Sequence, residues 1–358
     1  MKRAHSIKEL KIELNRNCPL HCLHCSSNGL PHASDSLEFN RVSELIREFS
    51  LQGGIKLCIS GGEPLTYKEL PVVIDACTTN NIQVSIYTTG IVSSDGIPKI
   101  ITDDTIDLLV KSDVRMVFSL HGACAETHDA MTGVGGSFKA TVNAIQKIRK
   151  TGLPTEAHIV PTAMNFNELV PMSEILASLN IRKVSWLRLV PQGRACSHWD
   201  VLHLRREQIS QLTKIKNEIE SRYPMISLRT GAPFNILCPE VPTSCEAGVS
   251  VLTIRPDGFV APCDAFKGFD VHDEFSNILN HSLIEVWNKS FFLNSIRKIQ
   301  EPKLISSCAK CTLYSHCNSG CLAQQIIAMD NMCQDRDPDC PRANEKLGAY
   351  EIEGILIR

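Results

Sequence analysis

Cys18, Cys22 and Cys25, in the stretch NCPLHCLHCS, are the residues around which chemistry can be built. Three thiolates at x3 and x2 spacing on one short loop suit three corners of a four-iron four-sulfur cluster, leaving the fourth iron open to a ligand that is not protein. The loop alone also permits zinc, because three protein ligands and a water make a catalytic zinc centre. A second cysteine-rich region follows far downstream. Cys238 stands in LCPE, and Cys245 and Cys263 flank Gly258. Cys308, Cys311, Cys317 and Cys321 then come at x2, x5 and x3 spacing, and Cys340 closes the run in DPDCP. Knuckles of this kind hold iron-sulfur clusters or structural zinc.

Positioning these residues requires strands that end where the loops begin. Apolar-alternating or β-rich runs occur at 11–15, 55–60, 83–88, 115–120, 156–161 and 183–190, and helical periodicity fills 38–49, 68–78, 137–150 and 167–177. Such βα alternation predicts a parallel sheet with helices outside. Six units make an open, partial (β/α)6 barrel of the TIM type. Parallel barrels carry their chemistry at the C-terminal strand ends, and both the cysteine loop and Gly61-Gly62-Glu63-Pro64 follow strands. The pattern changes near Arg229, dividing the chain into an α/β region, 1–228, and a cysteine-rich region, 229–358. Between them the charged stretch after Ala195 reads as a solvated surface helix.

The CxxxCxxC loop followed by Gly-Gly-Glu-Pro resembles the signature of the radical S-adenosylmethionine (SAM) superfamily, whose fold is this partial barrel. The resemblance implies that the open iron chelates the methionine moiety of SAM, and that an electron from the cluster cleaves SAM to a 5′-deoxyadenosyl radical. It implies SAM contacts from Gly61, Gly62, Glu63 and Pro64, with Glu63 accepting from the cationic amine. Further contacts would come from Thr88 in the Thr-Thr-Gly segment, from Ser119, from His24 in the cluster loop, and from Arg188 and Leu189 after the sixth strand. Ser119-Leu-His-Gly with Glu126-Thr-His-Asp and Gly136-Ser-Phe resembles a family stretch in which Asp is common where this chain has His121. His121 is read as structural, and His128 and Asp129 as holding their loop.

The downstream cysteines resemble the seven-cysteine SPASM extension of radical SAM enzymes. That resemblance implies two auxiliary 4Fe-4S clusters, three in all. The first would take Cys238, Cys245, Cys263 and Cys321, and the second Cys308, Cys311, Cys317 and Cys340, with Cys333 as a competitor for the last place. Asp264 follows a ligand directly, where the similar anaerobic sulfatase-maturating enzymes carry an aspartate that takes a proton from the substrate. Cys58, Cys77, Cys124 and Cys196 are expected mostly to be small buried hydrophobes.

Composition narrows the function classes. A net charge of −2 in 358 residues gives no electrostatic case for nucleic acid or an anionic membrane. No apolar run reaches the ~18 residues of a membrane span, and the N-terminus lacks a signal-peptide core, so a cytoplasmic protein is expected. Sixteen cysteines in 358 residues fall below the roughly 8–10% density of a disulfide scaffold. SPASM enzymes resembling this chain mostly modify peptides or proteins, so a ribosomal-peptide maturase is the first expectation. The alternatives are a formylglycine-generating sulfatase maturase, a small-molecule dehydrogenase acting on a sugar, cyclitol or tetrapyrrole, and a metal-binding scaffold without activity. Because the cluster loop begins at Cys18, a peptide-recognition domain ahead of it is not expected. A separate recognition protein or the barrel mouth would then read the peptide, and a flavodoxin or ferredoxin would supply electrons.

Overall fold

The computed structural model describes residues 5–237, 244–269, 271–300, 308, 311–327, 332–334, 337–340 and 349–351. Six strands follow the expected order: β1 (Glu9–Glu13), β2 (Lys56–Ser60), β3 (Gln83–Thr88), β4 (Arg115–Ser119), β5 (Thr155–Ile159) and β6 (Lys183–Trp186). Each pairs parallel with the next. β7 (Ser227–Arg229) extends this edge beyond β6. The other edge is built from distant sequence, since β8 (Val251–Ile254) lies parallel to β1 and carries the antiparallel β9 (Val260–Ala261). The resulting order, β9-β8-β1-β2-β3-β4-β5-β6-β7, is an open barrel. The boundary expected at 228/229 falls inside β7, and the cysteine-rich region contributes two strands to the barrel's own sheet.

Two faces of each strand meet different surroundings, as the period of two requires. Leu10, Ile12, Leu57, Ile59, Ile86 and Phe118 are at most 1% exposed and pack against the helices. Helix α1 (Phe39–Leu51) buries Val42, Leu45, Ile46 and Phe49, spaced to share one helical face. α2 (Leu70–Thr79) begins with Pro71 in its first turn, where a missing N–H costs nothing. α3 (Asp103–Lys111), α4 (Ser137–Arg149) and α5 (Leu169–Ser178) cover the next strands, and α6 (Arg206–Arg222) is the expected surface helix. The opposite strand face, turned to the lumen, carries Glu9, Lys11, Cys58, Tyr87 and His158. There the Tyr87 hydroxyl lies 3.3 Å from the Cys58 sulfur, and the Tyr87 and His158 rings stand 5.0 Å apart. This lumen is polar and titratable, unlike the apolar fill of a closed barrel. Among the described residues no helix is long and apolar enough to cross a membrane.

Candidate functional site

The cluster loop contains no helix or strand of its own, so its backbone groups must be satisfied by neighbours. The Gly62 amide donates to the Asn15 carbonyl at 2.7 Å and the Glu63 amide to the Asn17 carbonyl at 2.8 Å. On the far side His21 and Leu23 donate to the Thr132 and Met131 carbonyls, each at 2.9 Å. From the loop after β6 the Arg194 amide reaches the Cys25 carbonyl at 3.0 Å, and its Nε reaches the Cys22 carbonyl at 2.8 Å. Glycine is required at these approaches. A Cβ on Gly62 would lie 2.3 Å from the Asn17 carbonyl oxygen, and one on Gly193 2.4 Å from that of Cys25.

The three cysteines converge electrostatically. Burial first, and then Cys25, push the Cys22 thiol up to about 12, while Arg194 pulls it back. Burial and the charges of Cys22 and Glu63 raise Cys18 in the same direction. Thiols held together this way bind as thiolates only when cations offset their mutual repulsion, which is what cluster irons supply. In the second region burial, then Cys245 and Cys321, raise the Cys263 thiol, and all three pack against one apolar cluster. Cys238, their expected fourth partner, lies outside the described residues. Cys308 and Cys311 form one turn, with the Cys311 amide on the Cys308 carbonyl at 2.9 Å. Cys317 ends a short helix and Cys340 is partly buried. Among the described residues no three of these donors surround a single-ion position. That is compatible with polynuclear centres, whose ligands stand farther apart than those of one ion.

Glu63 is enclosed by its own chain. Its carboxylate is fully buried and receives four donors: the Leu65 amide at 3.2 Å, the Thr88 hydroxyl at 2.5 Å, and the Thr89 amide and hydroxyl at 2.9 and 2.7 Å. These bonds occupy the roughly four acceptor positions of a carboxylate and lock the Gly61–Pro64 turn to the end of β3. Burial raises its pKa, and those bonds work against the rise. Thr88 is spent on the same lock, donating to Glu63 and accepting from the Gly90 amide at 2.8 Å. Pro64 is buried as the start of a short 3-10 turn.

Arg188 is paired within the chain. Its guanidinium forks onto Asp337 and Asp339, with Nη2 at 2.6 and 2.7 Å from their oxygens, and is 7% exposed. Burial alone would lower its pKa, and the two carboxylates raise it. Leu189 is buried beside Met131, Ala195 and Leu202, and its carbonyl accepts from Gln324 at 2.6 Å.

Other expected residues remain available to a ligand. Ser119 ends β4 with its hydroxyl unpartnered among the described residues. The His24 ring lies tilted against His121 with centroids 4.4 Å apart, and His121 tilted against His128 at 5.4 Å. Nδ1 of both His24 and His121 is buried without a hydrogen-bond partner. Orphaned ring nitrogens beside the cluster loop fit a site completed by a polar ligand. Burial, with Arg194 next, lowers His24 to about 4, so it is neutral near pH 7. His128 and Asp129 hold their loop, the latter accepting from the Gly136 and Phe138 amides at 2.6 and 2.7 Å. Of the spare cysteines, Cys58 and Cys77 are buried but Cys124 and Cys196 are exposed.

Asp264 reaches into the lumen at the meeting of the two regions. Its Oδ2 lies 2.6 Å from the Lys11 ammonium and its Oδ1 3.0 Å from the Thr253 hydroxyl. Burial would raise its pKa, but Lys11 and then Lys267 bring it down to about 2. The pair stays accessible, Lys11 at 20% and Asp264 at 43% of their side-chain surface. Three residues that sequence reading missed complete the arrangement. Lys267 is buried against Glu13 and against Ser27 of the cluster loop, at 2.7 Å from the latter. Gln192 clamps the Asp264 carbonyl at 2.6 Å and the Gly268 amide at 2.9 Å. Arg194 grips the loop as described. Only Gly193 beside Arg194 gave a local signal; Lys267 and Gln192 act across 240 and 72 residues of sequence.

Comparison with known proteins places family likenesses on the same two regions. Residues 12–172 match the radical SAM superfamily model, and residues 245–312 match an iron-sulfur cluster-binding domain model, SPASM. The mycofactocin maturase MftC of Mycolicibacterium smegmatis is 29% identical over 98% of this chain and 86% of its own length. The PqqA peptide cyclase of Rhizobium meliloti is 24% identical over 90% of this chain and 85% of its own. Streptococcus suis SuiB, in its crystal structure with the precursor peptide SuiA, shares the fold with a TM-score of 0.76 at 19% identity, over 94% of this chain and 76% of its own.

Replacing Arg188 by Met strands the buried Asp337 carboxylate and leaves Asp339 only His203, and is expected to destabilise the protein by about 3–5 kcal/mol. A shift of that size in the denaturant midpoint at unchanged slope checks it; wild-type stability would show that Arg188 is not the tie described.

Proposed function

The chain is a radical SAM enzyme with a SPASM extension, and we propose that it matures a ribosomally made peptide by crosslinking, thioether formation, epimerisation or oxidation. The observation that carries this reading is likeness to named peptide maturases along nearly the whole chain, including the cysteine-rich region. When bound, the cluster and SAM supply a 5′-deoxyadenosyl radical able to take a hydrogen atom from an unactivated carbon. Everything else falls to the chain. Cys18, Cys22 and Cys25 would hold the cluster, and the Gly61–Pro64 turn, Ser119, His24 and His121 would line the SAM position. The open lumen admits substrate beside Lys11 and Asp264.

We further propose that the second region holds two 4Fe-4S clusters, on Cys238, Cys245, Cys263 and Cys321 and on Cys308, Cys311, Cys317 and Cys340. An all-alanine variant of Cys18, Cys22 and Cys25 is expected to lose 5′-deoxyadenosine formation and roughly a third of its iron. Iron and sulfide analysis checks it, and loss of all iron would refute this assignment. The reading also includes a cytoplasmic setting, a flavodoxin or ferredoxin as electron donor, and a separate recognition protein where the barrel mouth alone does not select the peptide.

Asp264 is assigned as the proton acceptor of the oxidation. Lys11 and Thr253 orient its carboxylate toward the lumen and keep it ionised near neutral pH. The same ion pair lowers its basicity, so it accepts best from an acidic substrate radical. Asp264→Asn preserves shape and is expected to leave 5′-deoxyadenosine formation in place while product formation falls by about 10²–10⁴. An equal fall in both would instead assign Asp264 to cofactor binding.

The substrate class is tested with the reduced, cluster-loaded enzyme and low-mass extract of the source organism, added before or after protease treatment. Stimulation of 5′-deoxyadenosine formation that protease abolishes is the expected result. Stimulation that survives protease would replace the peptide with a small molecule.

A further inference from the structure

The end of the barrel opposite the cluster loop carries a cavity of about 180 Å³ lined by Arg115, Arg149, Arg182 and Lys183, with Glu156 as its one carboxylate. Arg115 and Lys183 begin β4 and β6, and Glu156 lies near the start of β5, so the cavity sits at the N-terminal strand ends. Glu156 is 7% exposed in its side chain and is already neutralised. One of its oxygens lies 3.1 Å from Arg115 and 3.6 Å from Lys183, and the other 2.7 Å from Arg229 of β7.

Among the described residues that leaves two guanidinium groups with no carboxylate partner. The Arg149 guanidinium donates there only to the Leu153 carbonyl, at a long 3.4 Å, and its Nε is buried without a partner. The Arg182 guanidinium contacts there only the Asn180 side chain, at 3.3 Å. The carbonyls ending α4 offset part of the Arg149 charge; no carboxylate among the described residues does the same for Arg182. The cations come from separate elements, β4, the end of α4, the turn before β6, and β6 itself, so they are not one polar helix face. Arg182 and Lys183 are exposed, so water and salt screen part of this charge, while the three guanidinium groups lining one cavity offer several donors to an anion.

We propose that this cavity binds a phosphoryl group, as free diphosphate or as the diphosphate of a nucleotide. Planar guanidinium forks match phosphoryl oxygens in pairs, which a spherical anion cannot exploit, and the volume accommodates a diphosphate. The site lies at the N-terminal strand ends, away from the cluster loop.

The test is calorimetric titration of the cluster-loaded protein at constant ionic strength with inorganic diphosphate and, separately, with adenosine diphosphate, each compared with chloride. Saturable binding of either diphosphate is expected, with chloride inert. It should weaken by about tenfold or more in Arg149→Gln/Arg182→Gln, while iron content and 5′-deoxyadenosine formation stay at wild-type levels. Tighter binding of inorganic diphosphate would identify the free anion as ligand, and tighter binding of adenosine diphosphate a nucleotide. Absence of saturation with both, or undiminished affinity in the double variant, would overturn the proposal.

Discussion

A loop with no secondary structure must hold three cysteines in fixed relation, and the rest of the barrel is arranged to meet that constraint. The solution is backbone contact at sub-side-chain distance. Gly61 and Gly62 bring the turn after β2 against residues 15–17, and Gly193 brings the segment after β6 against Cys25. Each contact supplies a hydrogen bond to the loop that no side chain could deliver so closely. The buried Glu63 carboxylate then fixes the glycine turn to Thr88 and Thr89. The acid of Gly-Gly-Glu-Pro thus acts through the peptide groups it holds in place.

A second set of ties joins the cysteine-rich region to that loop. The 264–268 segment, immediately after Cys263, is held by Lys11, by Gln192, and through Lys267 by Glu13 and Ser27. Buried ion pairs of this kind add little net stability but are costly to break singly. They therefore specify one arrangement of the two regions. Lys267 spans the gap directly, because its ammonium contacts both β1 and the cluster loop. The lumen pair Lys11–Asp264 differs from it in being accessible, which distinguishes a group able to meet substrate from one that holds structure.

Much of this was legible in the sequence, in a graded way. Six strands and four helices follow from periodicity, and the cysteine spacing locates the loop. Errors cluster where tertiary contacts override the local pattern. β1 starts and ends earlier than its apolar run suggests, because Asn15 leaves the ladder for an isolated bridge to Ser36. β6 stops at Trp186 because Arg188 turns toward Asp337 and Asp339. Helix α3 opens on Asp103-Asp104, a polar start whose signal is the Thr102 cap at the Thr105 amide and not an apolar stripe. No local pattern announces a lysine on β1 meeting an aspartate 253 residues away.

The same long-range logic bears on how the cysteine-rich region folds. Asp337 bonds Arg188 of the barrel, accepts from the Cys321 amide at 2.9 Å, and through its own carbonyl receives the Cys340 amide at 3.1 Å. Asp339 adds His203 at 3.1 Å. Asp337, itself held by Arg188, is thus the anchor on which two cysteines from different expected cluster sets are placed. With β8 also borrowed into the barrel sheet, the second region is joined to the barrel by backbone pairing as well as by charge. Metal binding there becomes folding free energy for the whole chain, because the barrel supplies the charge that positions the thiols and the thiols close the structure that buries that charge.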